Sequence, residues 1–471
     1  MPRQKTKPTS QEFIHLLDRL PDRESFSSRR KGLFRAIASF YGFEQIRVSP
    51  LEEYRALIPL GRAGFFEERP PLLCKSVSGI DLAVDFSPLL GILRAYKSHK
   101  MNDLPHPLKL MFDGDYSWLS RNGEVRTCSE FGFSMIGEEG PIAEAEIIQI
   151  IWKSLEESGL LSEVIELRVN ATGCSECRQS FRSAFASYFR PKAHRLCKNC
   201  KRNFKKNPTK ILFCEEDQCK MLSQSAPQVI DYLCEVCKKH LRGLLEFLDE
   251  AKLPYFLDIK FFKDGTPFGM LIFELFIRRR EEVKTPEPVA PLEIATESIV
   301  VAAQVAPVAV SMAPESSAVA EEVKIIRLAY GGRASKAGDL IVGRRLDVAC
   351  GVIDLDGLGR AIGKNFADDR PRVFLAQLGE LAKKKSLTLL EDMRLGGIFV
   401  HESLGRDSMK SQLKIAEKIG AEIALIFGQK EALDKTIIVR EIQSGIQETI
   451  PQEKLIEFLK RKLRRPVPAV T

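Results

Sequence analysis

The sequence predicts an α+β chain: an antiparallel sheet flanked by helices, a cysteine-rich block set into it, and a small α/β domain at the end. Three observations carry this. The apolar runs Leu108–Phe112 and Phe131–Ile136 stand as neighbouring strands on either side of a charged, glycine-containing loop. Eight of the eleven cysteines fall within residues 171–250. Strand-like and helix-like segments alternate over residues 371–464.

Composition sets the frame. The chain has 471 residues, 44% hydrophobic and 28% charged, which is enough for about three globular domains. This balance excludes a fully disordered chain, a collagen and a small disulfide-stapled scaffold. Lys and Arg number 71 against 63 Asp and Glu, and the resulting +8 favours a polyanionic partner. The start, MPRQKTKPTSQEF, lacks the apolar stretch of a secretory signal. The most apolar run, Ile299–Ala313, is interrupted by Gln304 and Pro307 and is shorter than the roughly 20 residues of a membrane span. We therefore expect a cytoplasmic chain with no membrane partner, whose cysteines are thiols or metal ligands.

In the first region the spacing of Leu33, Phe34, Ile37 and Phe40 predicts a helix over Arg29–Tyr41, stopped at Gly42. Glu44–Val48 reads as a strand ended by Pro50, and Pro141–Glu157 as a long helix. Further on, Cys174-x2-Cys177 and Cys197-x2-Cys200 stand 19 residues apart, and Cys214-x4-Cys219 and Cys234-x2-Cys237 stand 14 apart. Tight thiolate pairs at such separations wrap a tetrahedral zinc, the intervening loop bringing back the second pair, so the spacing predicts at least one structural zinc. His194 and His240 are nearby alternative ligands, and the contrary reading makes the cysteines buried apolar relics of a lost site. Four thiolates leave no open position, which argues against a catalytic zinc.

Between Cys174 and Lys210 stand eleven Lys or Arg and one acid, with Phe181, Phe185, Tyr188, Phe189 and Phe204 among them. Phe181, Phe185 and Phe189 recur at helical spacing and predict a core stripe, leaving the charges for a phosphate backbone.

Residues 281–322 hold five Pro, nine Ala and eight Val, no Gly and no aromatic, and eight Glu against one Lys. Such a stretch lacks the large side chains that offset chain ordering, so it reads as a disordered linker. In the last region Val373–Leu378, Ile398–His401, Ile423–Phe427 and Thr436–Val439 predict strands. Glu380–Arg394, Ser408–Ile419 and a helix opened by Pro451 predict the helices of a mainly parallel α/β unit.

The order of segments resembles a known family. Tyr41-Gly42-Phe43-Glu44-Gln45-Ile46, with Pro50 and Glu52, resembles the first motif of class II aminoacyl-tRNA synthetases. Asp81–Tyr96, the strand pair at 108–137 and Gly137-Glu138-Glu139 resemble the core of histidyl-tRNA synthetases, and the cysteine block resembles an insertion domain of that family. Val373–Gly379, Lys410–Lys414, Gly428–Glu431 and Ser444-Gly445-x-Gln447-Glu448-Thr449 resemble its anticodon-binding domain. The resemblance implies a class II synthetase-like core at 1–170, an insertion at 171–252, and core again at 253–280 and 323–365. It also implies an anticodon-binding-like domain at 371–464, a homodimer through the first motif, and a tRNA partner. Gln377, Lys410, Gln412, Gln429, Lys430 and Gln447 then fall at tRNA-binding positions, and the alternative reading has some of them only cap or line the domain.

The chemical motifs depart from the family. Trp118 stands nearest the second-motif arginine that holds the ATP phosphate and the histidine carboxylate. Ser87 replaces the acid of the substrate loop, and Ser134 the glutamate for the histidine amino group. Lys263 opens the segment that carries a histidine-specific arginine in the family, and Asp354 takes the third-motif arginine's place. Arg126 resembles a remaining second-motif arginine or else forms a loop salt bridge, and Arg94 is either a site residue or a helix-surface charge. Gly331-Gly332-Arg333 survives. The expectation is a tRNA-binding relative that does not form histidyl-adenylate; ATP and Mg would be cofactors only of an active enzyme. An active histidine–tRNA ligase and a regulatory-subunit-like paralogue are the alternatives.

Overall fold

The computed structural model describes residues 21–66, 69–84, 87–120, 124–258, 261–262, 267–281, 322–362, 372–403 and 408–463. Residues 282–321 of the expected linker and Lys263 lie outside them, while Glu281 and Glu322, expected in the linker, are strand residues. Two compact units divide at Gly363/Lys364.

The first unit runs α1 (Pro21–Phe40), β1 (Glu44–Gln45), β2 (Leu51–Glu53), α2 (Tyr54–Arg62), β3 (Leu72–Lys75), β4 (Asp81–Val84) and α3 (Pro88–Ser98). It continues through β5 (Leu108–Leu119), β6 (Val125–Ile136), α4 (Ile142–Glu157) and β7 (Ile165–Gly173). The cysteine block supplies α5 (Ser175–Phe189), α6 (Lys198–Asn203), α7 (Asp217–Gln224) and α8 (Glu235–Glu250). Then come β8 (Phe256–Leu257), β9 (Gly269–Glu281), β10 (Glu322–Arg333), α9 (Ser335–Val342), β11 (Val348–Asp354) and α10 (Leu355–Ile362).

An eight-stranded sheet in the order β1-β5-β6-β11-β10-β9-β7-β8 forms the frame, antiparallel except at its two short edge strands. Strands β5 and β6 pair along all twelve residues, well beyond the two expected apolar cores, so the connecting loop shrinks to 120–124. Strand β1, in contrast, keeps only two of the five expected residues. On one face lies α4, whose Ile147, Ile148, Ile151 and Trp152 are buried. A Cβ on Gly351 would sit 2.5 Å from Ile147, so the helix packs on bare backbone there. Glu281 and Glu322 face each other as partners of β9 and β10. The ends of the expected linker are thus held side by side by one antiparallel pair.

The second unit runs β12 (Val373–Gln377), α11 (Glu380–Leu395), β13 (Val400–Glu402), α12 (Met409–Ile419), β14 (Ile423–Phe427), α13 (Gln429–Asp434), β15 (Thr436–Glu441), β16 (Gln447–Pro451) and α14 (Gln452–Leu463). Its sheet order is β13-β12-β14-β15-β16. The first three strands are parallel, but β15 and β16 return antiparallel, so the sheet is mixed rather than mainly parallel. Val373, Leu375, Leu425 and Phe427 face one core, and Phe374, Ala376 and Ile426 the other. Burial on both faces explains why these strands read as continuous apolar runs. Helix α13 and strand β16 were not expected, and Pro451 closes β16 instead of opening α14.

Candidate functional site

A cavity of about 170 Å³ opens on the sheet of the first unit, walled by residues of β5, β6, β9, β10 and β11 together with the start of α3. Its walls are largely aromatic, with Phe65, Phe112, Trp118, Phe268 and Tyr330 among them. Four charged side chains reach it: Arg69, Arg327, Glu130 and Glu274. Each arginine is already held. Arg69 Nη1 donates to Glu130 Oε1 at 3.0 Å and to the Tyr330 hydroxyl at 3.2 Å, and its guanidinium lies 4.6 Å from the centre of the Trp118 ring. Tyr330 donates to the same Glu130 oxygen at 2.8 Å, and the Cys128 thiol does so at 3.2 Å. Arg327 Nη1 meets Glu274 Oε1 at 3.2 Å and lies 4.6 Å over the Tyr330 ring. Among the described residues, two cations and two anions line the cavity and balance each other.

The network tunes its members. Burial opposes the charge of Arg69, but Tyr330 and Glu130 outweigh it and hold the guanidinium more firmly protonated than usual. Burial, reinforced by Glu130, pushes the Tyr330, Tyr116 and Cys128 groups well above their ordinary ranges, so all three stay neutral.

Of the expected positions, Ser87 and Trp118 line the cavity and Ser134, Asp354 and Arg126 do not. Ser87 directly precedes α3. Trp118 serves as the ring beneath Arg69. Ser134 is fully buried, with a hydroxyl that finds no partner among the described residues. Asp354 turns its carboxylate onto the start of α10, accepting from the Gly357 N–H at 2.7 Å, and burial raises its pKa. Exposed Arg126 pairs with Glu124 at 3.4 Å, the loop salt bridge of the two readings. Arg94 is tied to the buried carboxylate of Glu52 at 2.7 Å.

Gly331 and Gly332 sit within β10 and not in a turn: a Cβ would come 2.3 Å from the Cys350 carbonyl at the first and 2.1 Å from that of Leu271 at the second. The neighbouring Arg333 is buried and structural. Its Nε donates to Glu144 Oε1 at 2.6 Å and its Nη2 to Oε2 at 2.5 Å, while Nη1 and Nη2 reach the carbonyls of Glu138 and Gly140. His240 Nε2 lies 3.1 Å from the same Glu144, and His240 is not among the residues of either thiolate cluster.

Arg69, Glu130, Glu274, Arg327 and Tyr330 were missed by sequence reasoning. A β-bulge between Arg327 and Ala329 adds one residue to β10. It brings Arg327 and Tyr330 to one face, where a strict two-residue alternation separates them.

The eight cysteines form two clusters, nested and not consecutive. Cys174, Cys177, Cys234 and Cys237 compose one, and Cys197, Cys200, Cys214 and Cys219 the other, each with its sulfurs within 4.8 Å of one another. The consecutive pairing expected from the spacing is thereby corrected. The reason is topological: β7 ends where α8 begins, so the first and last knuckles close the base of the block and the middle two meet inside it. Gly173, at φ +74°, makes this possible, since a Cβ there would lie 2.5 Å from that of Cys177.

A zinc with Zn–S bonds of about 2.3 Å requires sulfurs roughly 3.8 Å apart. The separations are 3.4 Å for Cys174–Cys177, 4.0 Å for Cys177–Cys237 and 3.7 Å for Cys197–Cys214, which fit such an ion and are too long for disulfides. Backbone N–H groups of Cys174, Cys197, Cys200 and Cys234 point at sulfurs of the clusters. At Cys197 the Cys200 N–H is the main reason the thiol is drawn down to about 7.

In the second unit, Gln377 and Gln412 are buried and serve each other. Gln412 Oε1 accepts from the Gln377 N–H at 3.0 Å, and its Nε2 donates to the Gln377 carbonyl at 2.7 Å. The Gln377 amide nitrogen is hydrogen-bonded to Glu402. Lys410, Gln429, Lys430 and Gln447 are exposed. Gln429 lies over Gly379, where a Cβ would be 2.9 Å from its amide nitrogen, at the carboxyl ends of β12 and β14.

Comparison with known proteins gives this geometry a context. Residues 372–462 match the anticodon binding domain family. The histidine–tRNA ligase of Caldicellulosiruptor saccharolyticus is 27% identical over 464 residues, covering 95% of this chain and 98% of that protein. That of Desulforamulus reducens is 26% identical over 435 residues, covering 91% and 94%. Among solved structures, the apo histidyl-tRNA synthetase of S. aureus superposes with a TM-score of 0.64 at 20% identity, covering 98% and 99% of the two chains. A protein of Bacillus halodurans C described as an ATP phosphoribosyltransferase regulatory subunit/histidyl-tRNA synthetase gives 0.56 at 12% identity, covering 91% and 99%. With its antiparallel core, cysteine-rich insertion and C-terminal anticodon-binding domain, this chain is a histidyl-tRNA synthetase-like protein of the class II fold.

Proposed function

We propose that this protein binds tRNA through its C-terminal unit and does not form histidyl-adenylate. The neutrality of the cavity carries the reading: Arg69 is spent on Glu130, and Arg327 on Glu274. Adenylate formation builds charge on the α-phosphoryl oxygens, and arginine forks and metal ions supply most of its stabilisation. Removing one such donor costs on the order of 3 kcal/mol. Here Trp118 and Asp354 stand at two arginine positions of the family resemblance, Lys263 at a third, and Ser87 and Ser134 at two carboxylates. Pyrophosphate exchange with histidine and ATP tests the reading. No histidine-dependent exchange above background is expected, and robust exchange overturns it.

The cavity arginines favour one second reading. If ATP with Mg draws Arg69 and Arg327 off their glutamates, the chain is an active ligase that aminoacylates tRNA-His, and the same assay reports it. The regulatory-subunit reading has less support, because residues 372–462 retain an anticodon-binding domain.

We also propose one structural zinc in each thiolate cluster, with the four sulfurs as its full ligand set. Elemental analysis of the purified chain is expected to give two zinc per protomer, and Cys214→Ser to give one; a metal-free, fully folded chain overturns this. A homodimer in the cytoplasm completes the reading.

A further inference from the structure

We propose that the cavity of the first unit takes a small uncharged aromatic molecule, of one ring or two fused rings, that carries an N–H or O–H donor. The proposal rests on the reading that this cavity forms no adenylate, and it names the ligand class that the same walls admit in place of a charged one.

Shape and size come first. Nine of the residues lining the cavity are Phe, Tyr or Trp, and among the described residues no Lys, His or Asp lines it. Phe112 lies on the bare backbone of Gly132, where a Cβ would come 2.2 Å from its ring, so a side chain at that strand position would displace this wall. Tyr330 and Phe268 meet edge to face, with ring centres 6.1 Å apart and planes at 75°. An apolar cavity of about 150 Å³ admits benzene and stays free of water. At about 170 Å³, this one is matched to a ligand of one or two rings.

Charge then excludes ions. Arg69 packs against the rings of Trp118 and Tyr330, 4.6 and 5.6 Å from their centres, and Arg327 lies 4.6 Å over Tyr330. Each guanidinium also holds a carboxylate, Glu130 for the first and Glu274 for the second. An anion entering here must draw an arginine off its carboxylate, and a cation must draw a carboxylate off its arginine. Either leaves a buried charge without its partner, a cost that an uncharged ring does not incur. Such a ring meets the aromatic walls by offset stacking or edge to face.

One acceptor is left for the ligand. Glu130 lines the cavity and is only 3% exposed, and Arg69, Tyr330 and Cys128 all donate to its Oε1. Its Oε2 accepts no hydrogen bond among the described residues. A buried carboxylate oxygen without a donor is costly, and a ligand N–H or O–H that reaches it removes the cost. Guanidinium, phenol and thiol together occupy the first oxygen, so selection of the ligand falls to the second.

The test is calorimetric titration of the full-length chain with indole and with benzothiophene, which keeps the fused rings and has sulfur in place of the N–H. Indole is expected to bind about tenfold more tightly or better, the effect of one hydrogen bond to a charged acceptor. It is also expected to raise the urea midpoint of the first unit and to leave that of the second in place. Val352 lines the cavity from β11, and Val352→Phe fills it with a ring; the folded variant is expected to bind no indole. If that variant does not fold, the ratio of the two ligands and the midpoints of the parent decide. A parent that takes up no indole, or both ligands equally, or a folded Val352→Phe that binds indole like the parent, overturns this inference and leaves the absence of adenylate chemistry standing. Histidine-dependent pyrophosphate exchange, with histidine displacing indole, overturns the reading beneath it and this inference with it.

Discussion

In the cavity of the first unit, both arginines are turned onto glutamates of neighbouring strands and shelved against aromatic rings. At the carboxyl ends of the C-terminal strands, Lys430 and Gln429 stand exposed, as do Lys410 at the start of α12 and Gln447 on β16, with side chains that form no hydrogen bond among the described residues. Both regions sit where α/β and α+β folds commonly place ligands. The difference lies in where the polar groups are spent: the first surface satisfies its charges internally, and the second holds buried glutamines as framework and keeps its cations for solvent or a partner. A polyanion finds unpaired donors only at the second.

The largest expected effect tests how far the first unit depends on internal pairing. Arg333→Ala leaves Glu144 buried against His240 alone. Loss of one partner from a buried ion pair costs roughly 3–5 kcal/mol, so the urea midpoint of the first unit is expected to fall steeply while that of the second stays in place. A shift of both together, or of neither, breaks the comparison. The pH dependence follows from the same pair. Burial opposes the ionised form of Glu144, but His240 and Arg333 outweigh it and hold the carboxyl below its ordinary range. A depressed carboxyl contributes stability that is fully present above its unfolded value, about 4.3, and is lost as pH falls through the lower folded value. The first unit is therefore expected to lose stability below about pH 4 in the parent, and to show a shallower acid dependence in Arg333→Ala.

How much of this was legible differs in the same two regions. The C-terminal strands β12 and β14 are buried on both faces, so their apolar runs marked them directly. Strand β16 escaped because four of its five residues are exposed, and α13 because its six residues begin two after the end of β14. The cavity was legible only in part. Ser87 and Trp118 lie within segments that resemble the family, but the charged network joins Arg69, Glu130, Glu274 and Arg327, which stand as much as 258 positions apart (327 − 69) and share no local pattern. The bulge in β10 further hid Arg327 and Tyr330 from a two-residue period. For the cysteines, spacing marked which eight gather into clusters. Which pairs meet depends on where β7 ends and α8 starts, and that is a long-range contact no spacing encodes.

The smallest expected effect, that of Lys430→Ala on stability, sharpens the comparison most when set beside Gln412→Ala, because the two separate residues that sequence resemblance had placed in one group. Gln412 and Lys430 both fall at tRNA-binding positions of the resemblance. Gln412 is fully buried, and its amide satisfies both the N–H and the carbonyl of Gln377. Gln412→Ala strands two buried backbone groups, which costs about 1–3 kcal/mol each when water cannot reach them. The expected result is a lower midpoint for the C-terminal unit, with tRNA affinity unchanged at temperatures where the variant is folded. Lys430→Ala is expected to leave the midpoint within about 0.5 kcal/mol of the parent, as surface substitutions do. It is expected to weaken tRNA binding a fewfold and to lower the salt slope by roughly 0.7 to 0.9, the signature of one lost phosphate contact. If Gln412→Ala weakens tRNA binding in the folded protein, or Lys430→Ala leaves both affinity and slope untouched, the division between framework and contact residues is drawn in the wrong place.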